Sequence, residues 1–166
     1  MHERNRPAWR IRPATPDDVE AIAAILKGLG WFSFINGEVT AETETRVKRH
    51  LRLCLTGDSH TVLVAEVGGG AVLGYAAVHW LPYLILQGPE GFVSELFVAE
   101  AARGAGLGTK LLEAVRNMAI GRGCSRLMLV NRKTRESYQR GFYRKLGWEE
   151  REEFANFVLH LPLKSQ

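Results

Sequence analysis

Between a run of strand-forming residues, Phe92 to Val98, and a stretch with a helical apolar stripe, Gly106 to Ile120, the chain carries Arg103-Gly104-Ala105-Gly106-Leu107-Gly108. No other feature restricts the fold as much. A glycine-rich turn that leaves a strand and opens a helix joins the two kinds of element, and with the element order β-α-α-β-β-β-α-β-α-β it predicts a mixed α/β (α+β) architecture. The flanking pattern agrees. Leu107, Leu111, Leu112, Val115, Met118 and Ala119 fall on one side of the predicted helix, and Gly121 and Gly123 end it.

The remaining elements follow from periodicity and punctuation. Trp9 to Arg12 reads as a brief strand. Thr15-Pro16-Asp17-Asp18 is a helix start, and Val19, Ile22, Ala23 and Leu26 continue it to Gly28 and Gly30. Residues 41–55 form a second amphipathic helix by the spacing of Val47, Leu51 and Cys54 or Leu55. Thr61 to Val67 and Val72 to Trp80 are β-rich runs joined by Gly68-Gly69-Gly70, a hairpin signal. Phe92 to Val98 is apolar on both faces apart from Ser94 and Glu95, which predicts a central strand with Val93, Glu95 and Phe97 on one face. Arg126 to Val130 reads as a buried strand, Arg135 to Leu146 as a helix and Phe154 to His160 as a last strand.

A chain of 166 residues with 46% apolar and 24% charged residues is expected to fold as one globular domain over 1–166, its core about 9–160. No apolar run approaches the ~20 residues that cross a bilayer. The start MHERNRPAWR lacks the apolar centre of a signal peptide, so a cytoplasmic location without membrane association is expected. Cys54 and Cys124 have neither zinc nor redox spacing, and no metal site is predicted. The net charge of +4 is spread over single basic residues with interspersed acids, a distribution that suits a bound phosphate better than a nucleic-acid track.

The free amides of a glycine turn and the dipole of the helix it opens make an anion site. A nucleoside-triphosphate loop would need Gly-Lys-Ser/Thr, whereas Gly108-Thr109-Lys110 reverses the lysine and hydroxyl. A dinucleotide fingerprint would need glycine where Thr109 stands, and would open an early βαβ unit. The turn instead resembles the coenzyme-A turn of the GNAT superfamily of N-acetyltransferases, Gln/Arg-x-x-Gly-x-Gly/Ala, which Arg103, Gly106 and Gly108 match. Ser94 to Val115 is similar to that family's strand, turn and helix, and Gly141-Phe142-Tyr143-Arg144-Lys145-Leu146-Gly147-Trp148 to its Phe-Tyr-x-x-Leu-Gly-Phe segment.

The resemblance implies a single N-acetyltransferase domain with a mostly antiparallel central sheet flanked by helices. Acetyl-CoA would lie between a splayed strand pair, Phe92 to Val98 and Arg126 to Val130. The amides of Arg103, Gly104, Ala105, Gly106, Leu107, Gly108 and Thr109 would hold its pyrophosphate, and the backbone of Phe97 and Val98 its pantetheine. Arg140 or Lys145 would reach the 3′-phosphate. Tyr143 occupies the position at which the family protonates its thiolate. An asparagine that the family often carries seven residues earlier is Glu136 here, with Asn131 as the substitute for its cofactor contact.

Transfer to an amine needs a neutral nitrogen, and Glu95 is the candidate base, directly or through water. A carboxylate on a central strand is costly unless paired or functional, so a structural partnership or an anchor for a cationic acceptor stays open beside the base role. His79 is the alternative base or a hydrogen-bonded sheet histidine. The apolar loops Trp31 to Glu38 and Leu81 to Leu86 point to a homodimer contact or to an acceptor with an apolar part. The acceptor class is a small-molecule or peptide amine; a coenzyme-A sensor without turnover and a binder of nucleic acid through the basic residues of 122–151 are the rival functions.

Overall fold

The computed structural model describes residues 9–163; the polar lead, residues 1–8, lies outside them. The described residues divide into two compact units, one ending at Val130 and the other beginning at Asn131. In the first unit, β1 (Trp9–Pro13), β2 (His60–Val67), β3 (Ala71–Leu81), β4 (Glu90–Val98) and β5 (Arg126–Leu129) form a five-stranded sheet in that order. β1 to β4 pair antiparallel and β5 joins β4 in parallel. The β2–β3 hairpin turns on Gly69 and Gly70, whose φ of 98° and 87° only glycine adopts readily.

Helices cover both faces. On one lie α1 (Val19–Leu29), the single turn α2 (Ser33–Gly37) and α3 (Thr40–Cys54). Ile22, Ile25, Leu26, Val47 and Leu51 pack there against Val62, Val64, Tyr75 and Ala77. Gly30, left-handed at φ 66°, caps α1, while Gly28 stays inside the helix. On the other face lies α4 (Leu107–Gly121), its Leu107, Leu111 and Val115 fully buried. Gly74 on β3 allows this approach: a Cβ there would stand 3.2 Å from both Leu107 Cδ2 and Phe97 O. Among the described residues no helix is long and apolar enough to cross a membrane.

The second unit holds α5 (Glu136–Gln139) and α6 (Phe142–Lys145), so the continuous helix expected over 135–146 is two single turns. Gly141, at φ 65°, breaks it between them. Glu150 ties the pieces together. It accepts from Tyr138 Oη at 2.9 Å and pairs with Lys133 and Arg144 at 2.6 Å each, and these bonds hold its carboxyl at about 2. The strand expected over Phe154 to His160 is absent: these residues form no ladder, and Phe157 and Leu159 face solvent. Strand composition favours a sheet only where an edge is offered within reach.

At the N-terminal entry, Arg12 donates from Nε to Glu66 at 2.6 Å and from both Nη atoms to Asp18 at 2.8 Å. Asp18 is buried and also accepts from Thr15 N at 2.7 Å, so Arg12 foremost holds its carboxyl below the usual range. A depressed carboxyl stabilises the fold above its unfolded value and loses that contribution as pH falls through the folded one. Asp18→Ala should cost about 2–3 kcal/mol in urea unfolding at pH 7. The difference from the parent should shrink as pH falls below 3.8, the ordinary value of this carboxyl.

Candidate functional site

β4 is where the sheet changes character. Against β3, Ala77 pairs with Glu95 but Val78 pairs with Val93, so Ser94 is an extra residue that bulges from the ladder. The bulge reverses the facing expected from strict alternation. Val93 shares the α4 side with Val78, whereas Glu95 and Phe97 share the α1–α3 side with Ala77 and Tyr75. On the opposite edge, the parallel ladder with β5 runs from Glu90–Arg126 to Val93–Leu129 and stops. Among the described residues β4 is laddered on one side only from Ser94 to Val98, which leaves strand amides and carbonyls without a strand partner on the other, Val98 O meeting only Arg103 Nε.

Leading out of β4, a 3₁₀ turn, Glu100–Ala102, precedes the glycine turn. Gly104 and Gly106 take φ of 77° and 84°, and a Cβ built on either would meet nothing within 4 Å. The space beside them is open. Lys110 N, bonded to Gly106 O at 3.1 Å, is the first amide of α4 with a helical acceptor. The amides of Leu107, Gly108 and Thr109 are therefore orphans of the helix start, and those of Gly104, Ala105 and Gly106 have no backbone acceptor among the described residues. Leu107 anchors the turn: its side chain is in the core while its amide is in the first turn. Arg103 is exposed, with Nε 3.4 Å from Val98 O and its guanidinium 5.7 Å from the Trp31 ring centre.

Glu95 is half-buried and accepts a 2.6 Å hydrogen bond from Tyr75 Oη on Oε2. Its other oxygen has no hydrogen-bond partner among the described residues. Tyr75 is buried, and that burial, reinforced by the carboxylate, pushes its hydroxyl well above the ordinary value and keeps it a donor. Arg46 on α3 is held by Glu38 at 2.7 Å and lies close enough for its charge to act on Glu95 and Tyr75. Around the carboxylate, the Phe97 ring packs edge-on to Tyr75, Trp31 and Phe32 at 5.8, 5.9 and 6.0 Å. Trp31 and Phe32 belong to the predicted apolar loop, whose middle is the turn α2. In the other predicted loop Leu84 and Ile85 stand fully in solvent.

Tyr75 and Arg46 escaped sequence reasoning. Tyr75 reads as one more β-former in an apolar run, and Arg46 as one of several cations on α3. The detectable signal was a tyrosine at a position whose same-face neighbours, Leu73 and Ala77, are apolar. Cys54 and Cys124 are half-buried free thiols, and burial raises both, in keeping with an inert role.

In the second unit, Tyr143 lies on α6, apart from Tyr138 on α5, with its ring 5.0 Å from Phe142 and 6.1 Å from Trp148. Burial raises its hydroxyl above the ordinary value, and Arg140 opposes the shift. The hydroxyl has no hydrogen-bond partner among the described residues. Asn131 donates from Nδ2 to Ser137 Oγ at 3.0 Å, while Glu136, Arg140 and Lys145 are exposed.

Comparison with known proteins gives the family. The acetyltransferase (GNAT) family profile matches residues 27–148. Glucosamine 6-phosphate N-acetyltransferase 1 of Oryza sativa subsp. japonica is 31% identical over 147 residues, 87% of this chain and 83% of that protein. Thialysine N-epsilon-acetyltransferase of Mus musculus is 28% identical over 130 residues, 73% of each chain. Among solved structures, a transcriptional regulator from Bacillus halodurans C-125 superposes with a TM-score of 0.79 at 24% identity, over 93% of this chain and 100% of that one. That likeness concerns the fold alone. Since the family profile spans most of the chain and both curated relatives are N-acetyltransferases, the chain belongs to the acetyltransferase (GNAT) family and is an acyltransferase.

Proposed function

We propose that the protein transfers the acetyl group of acetyl-CoA to a primary amine of a small molecule or peptide by direct attack in a ternary complex. The observation that carries this reading is the run of acceptor-free amides from Gly104 to Thr109 opening α4, next to a β4 edge that has lost its β5 partner. Such a run fits a pyrophosphate, and the open space at Gly104 and Gly106 is where side chains would otherwise block it. The free edge near Phe97 and Val98 fits an amide-bearing arm such as pantetheine. Acetyl-CoA supplies an activated thioester; the chain's residues do the rest.

An alkylammonium near pKa 10.4 is neutral in about one molecule in a few thousand at pH 7, so its proton must be removed before attack. Glu95 is the proposed acceptor of that proton, directly or through water. Its Oε2 is fixed by Tyr75, and the unbonded Oε1 is the atom that would meet the ammonium. The rim of Trp31, Phe32 and Phe97 limits water there and suits the alkyl part of an amine. Tyr143 is the proposed donor to the departing thiolate. With its hydroxyl raised it keeps its proton at neutral pH, and the charge of Arg140 favours the tyrosinate that remains until solvent reprotonates it.

Calorimetric titration with acetyl-CoA, beside ATP and NAD, tests the first step; selective micromolar binding is expected, and its absence removes the assignment. Thiol release with thialysine and glucosamine 6-phosphate, the amines in the relatives' names, tests the second. Gly106→Ala places a Cβ in the open space at a left-handed position, costs roughly 1–2 kcal/mol of backbone strain, and should weaken acetyl-CoA binding about 10-fold or more while thermal unfolding stays cooperative. Tyr143→Phe should lower turnover roughly 10²-fold with acetyl-CoA affinity nearly unchanged. Because the hydroxyl is raised, parent activity attributable to this acid should persist to pH values above the ordinary 10.0 of tyrosine.

A further inference from the structure

Two histidines and two serines lie at one end of the sheet face that carries Glu95. His60 on β2 and His79 on β3 are register partners with ring centres 4.7 Å apart. His60 Nδ1 is 2.8 Å from Ser59 Oγ, and His79 Nε2 is 2.8 Å from Ser94 Oγ. Ser94 is the bulged residue next to Glu95, and its hydroxyl also has Ala77 O at 3.4 Å. His79 shares its face with Ala77, whose partner across the ladder is Glu95.

This placement gives the Ser94 hydroxyl two acceptors. With His79 neutral and Nε2 unprotonated, Ser94 donates to Nε2. With His79 charged, Nε2 donates to Ser94 Oγ and the hydroxyl turns to Ala77 O. Nε2 therefore keeps Ser94 as its partner in both protonation states without moving a heavy atom, a property a purely structural histidine does not need.

We propose that His79, acting through the bulged Ser94, takes the proton that acetyl transfer must deliver to bulk water. The inference rests on the acetyltransferase reading above. Two protons leave an ammonium when it becomes an amide; one ends on the coenzyme thiol and one in solvent. Glu95, tethered to Tyr75, cannot take the second until it has released the first. Ser94 Oγ can take a proton from the nitrogen as its own passes to His79 Nε2, so the hydroxyl is regenerated. The resulting imidazolium, half-exposed at the sheet end, loses a proton to water.

The groups that face His79 support this role. Desolvation first, and then His60 across the ladder, favour the neutral ring, while Glu95 on β4 opposes them, and the balance lies below the ordinary histidine value. The balance favours the neutral ring, the form that can accept a proton. A lowered value means that this function is lost as pH falls through a point below 6.5.

His79→Gln keeps a hydrogen-bonding group for Ser94 but cannot carry the proton. With whichever of thialysine and glucosamine 6-phosphate the parent acetylates, the variant should lose roughly 10²-fold in kcat/KM at pH 7 and lose the acidic limb of its pH profile. Its calorimetric affinity for acetyl-CoA should be unchanged. His79→Ala should recover activity with added imidazole, and Ser94→Ala should show the same loss of the limb. A His79→Gln enzyme with parental rate and profile, or no imidazole rescue, overturns the relay while leaving the acetyltransferase reading intact. A parent that releases no thiol with either amine overturns both.

Discussion

The parting of β4 from β5 is the constraint on which the rest of the first unit depends. Parallel pairing holds for four register pairs and ends at Val93–Leu129, at the residue before the Ser94 bulge. A bulge increases local twist and bends its strand, so β4 turns away from β5 where its partner would have continued. A continuous ladder would have occupied every amide and carbonyl of β4. Among the described residues the interruption leaves one edge of Ser94 to Val98 without a strand partner, and the chain then passes into a turn whose amides have no backbone acceptor. Two sets of orphan polar groups thus adjoin one another, which is the condition for gripping a long polar ligand by backbone alone.

The same bulge sorts the side chains. With Val93 toward α4 and Glu95 toward α1 and α3, consecutive parts of one strand face different surroundings, an apolar anchor on one side and a carboxylate on the other. Tyr75 then makes the buried end of Glu95 a directed acceptor, and Arg46, itself steadied by Glu38, balances its charge. The aromatic rings of Trp31, Phe32 and Phe97 supply the low-polarity surroundings in which such charges act strongly.

Much of this was legible in the sequence because it depends on local rules. The hairpin at Gly68 to Gly70, the helix stripe from Leu107 and the glycine turn that opens that helix are each written in neighbouring residues. What could not be read depends on pairing across the chain. A period-two reading carries no mark for an extra residue, so Val93 was assigned to the face of Glu95; nor does a tyrosine in an apolar strand announce that its hydroxyl meets a carboxylate twenty residues away. Residues 135–146 have helical composition, yet Gly141 adopts a left-handed conformation and divides them. Phe154 to His160 have the composition of a strand and form none, since a strand is completed by its neighbour and not by its own letters.

One ion pair, a buried carboxylate with an exposed arginine, bears on how reliably the sheet assembles. Glu90 is fully enclosed and bonded to Arg126, its register partner at the first rung of the β4–β5 ladder, while its second oxygen has no partner among the described residues. Sliding β5 by a single residue would carry the guanidinium away and abandon a carboxylate in the interior, a penalty of several kcal/mol. The same slip would turn Leu127 and Leu129 to the opposite face of the sheet. The ion pair therefore acts as a proofreading device for strand alignment: it adds little to the depth of the native minimum but raises the competing minima around it. The point at which the two strands separate is in this way fixed to the residue.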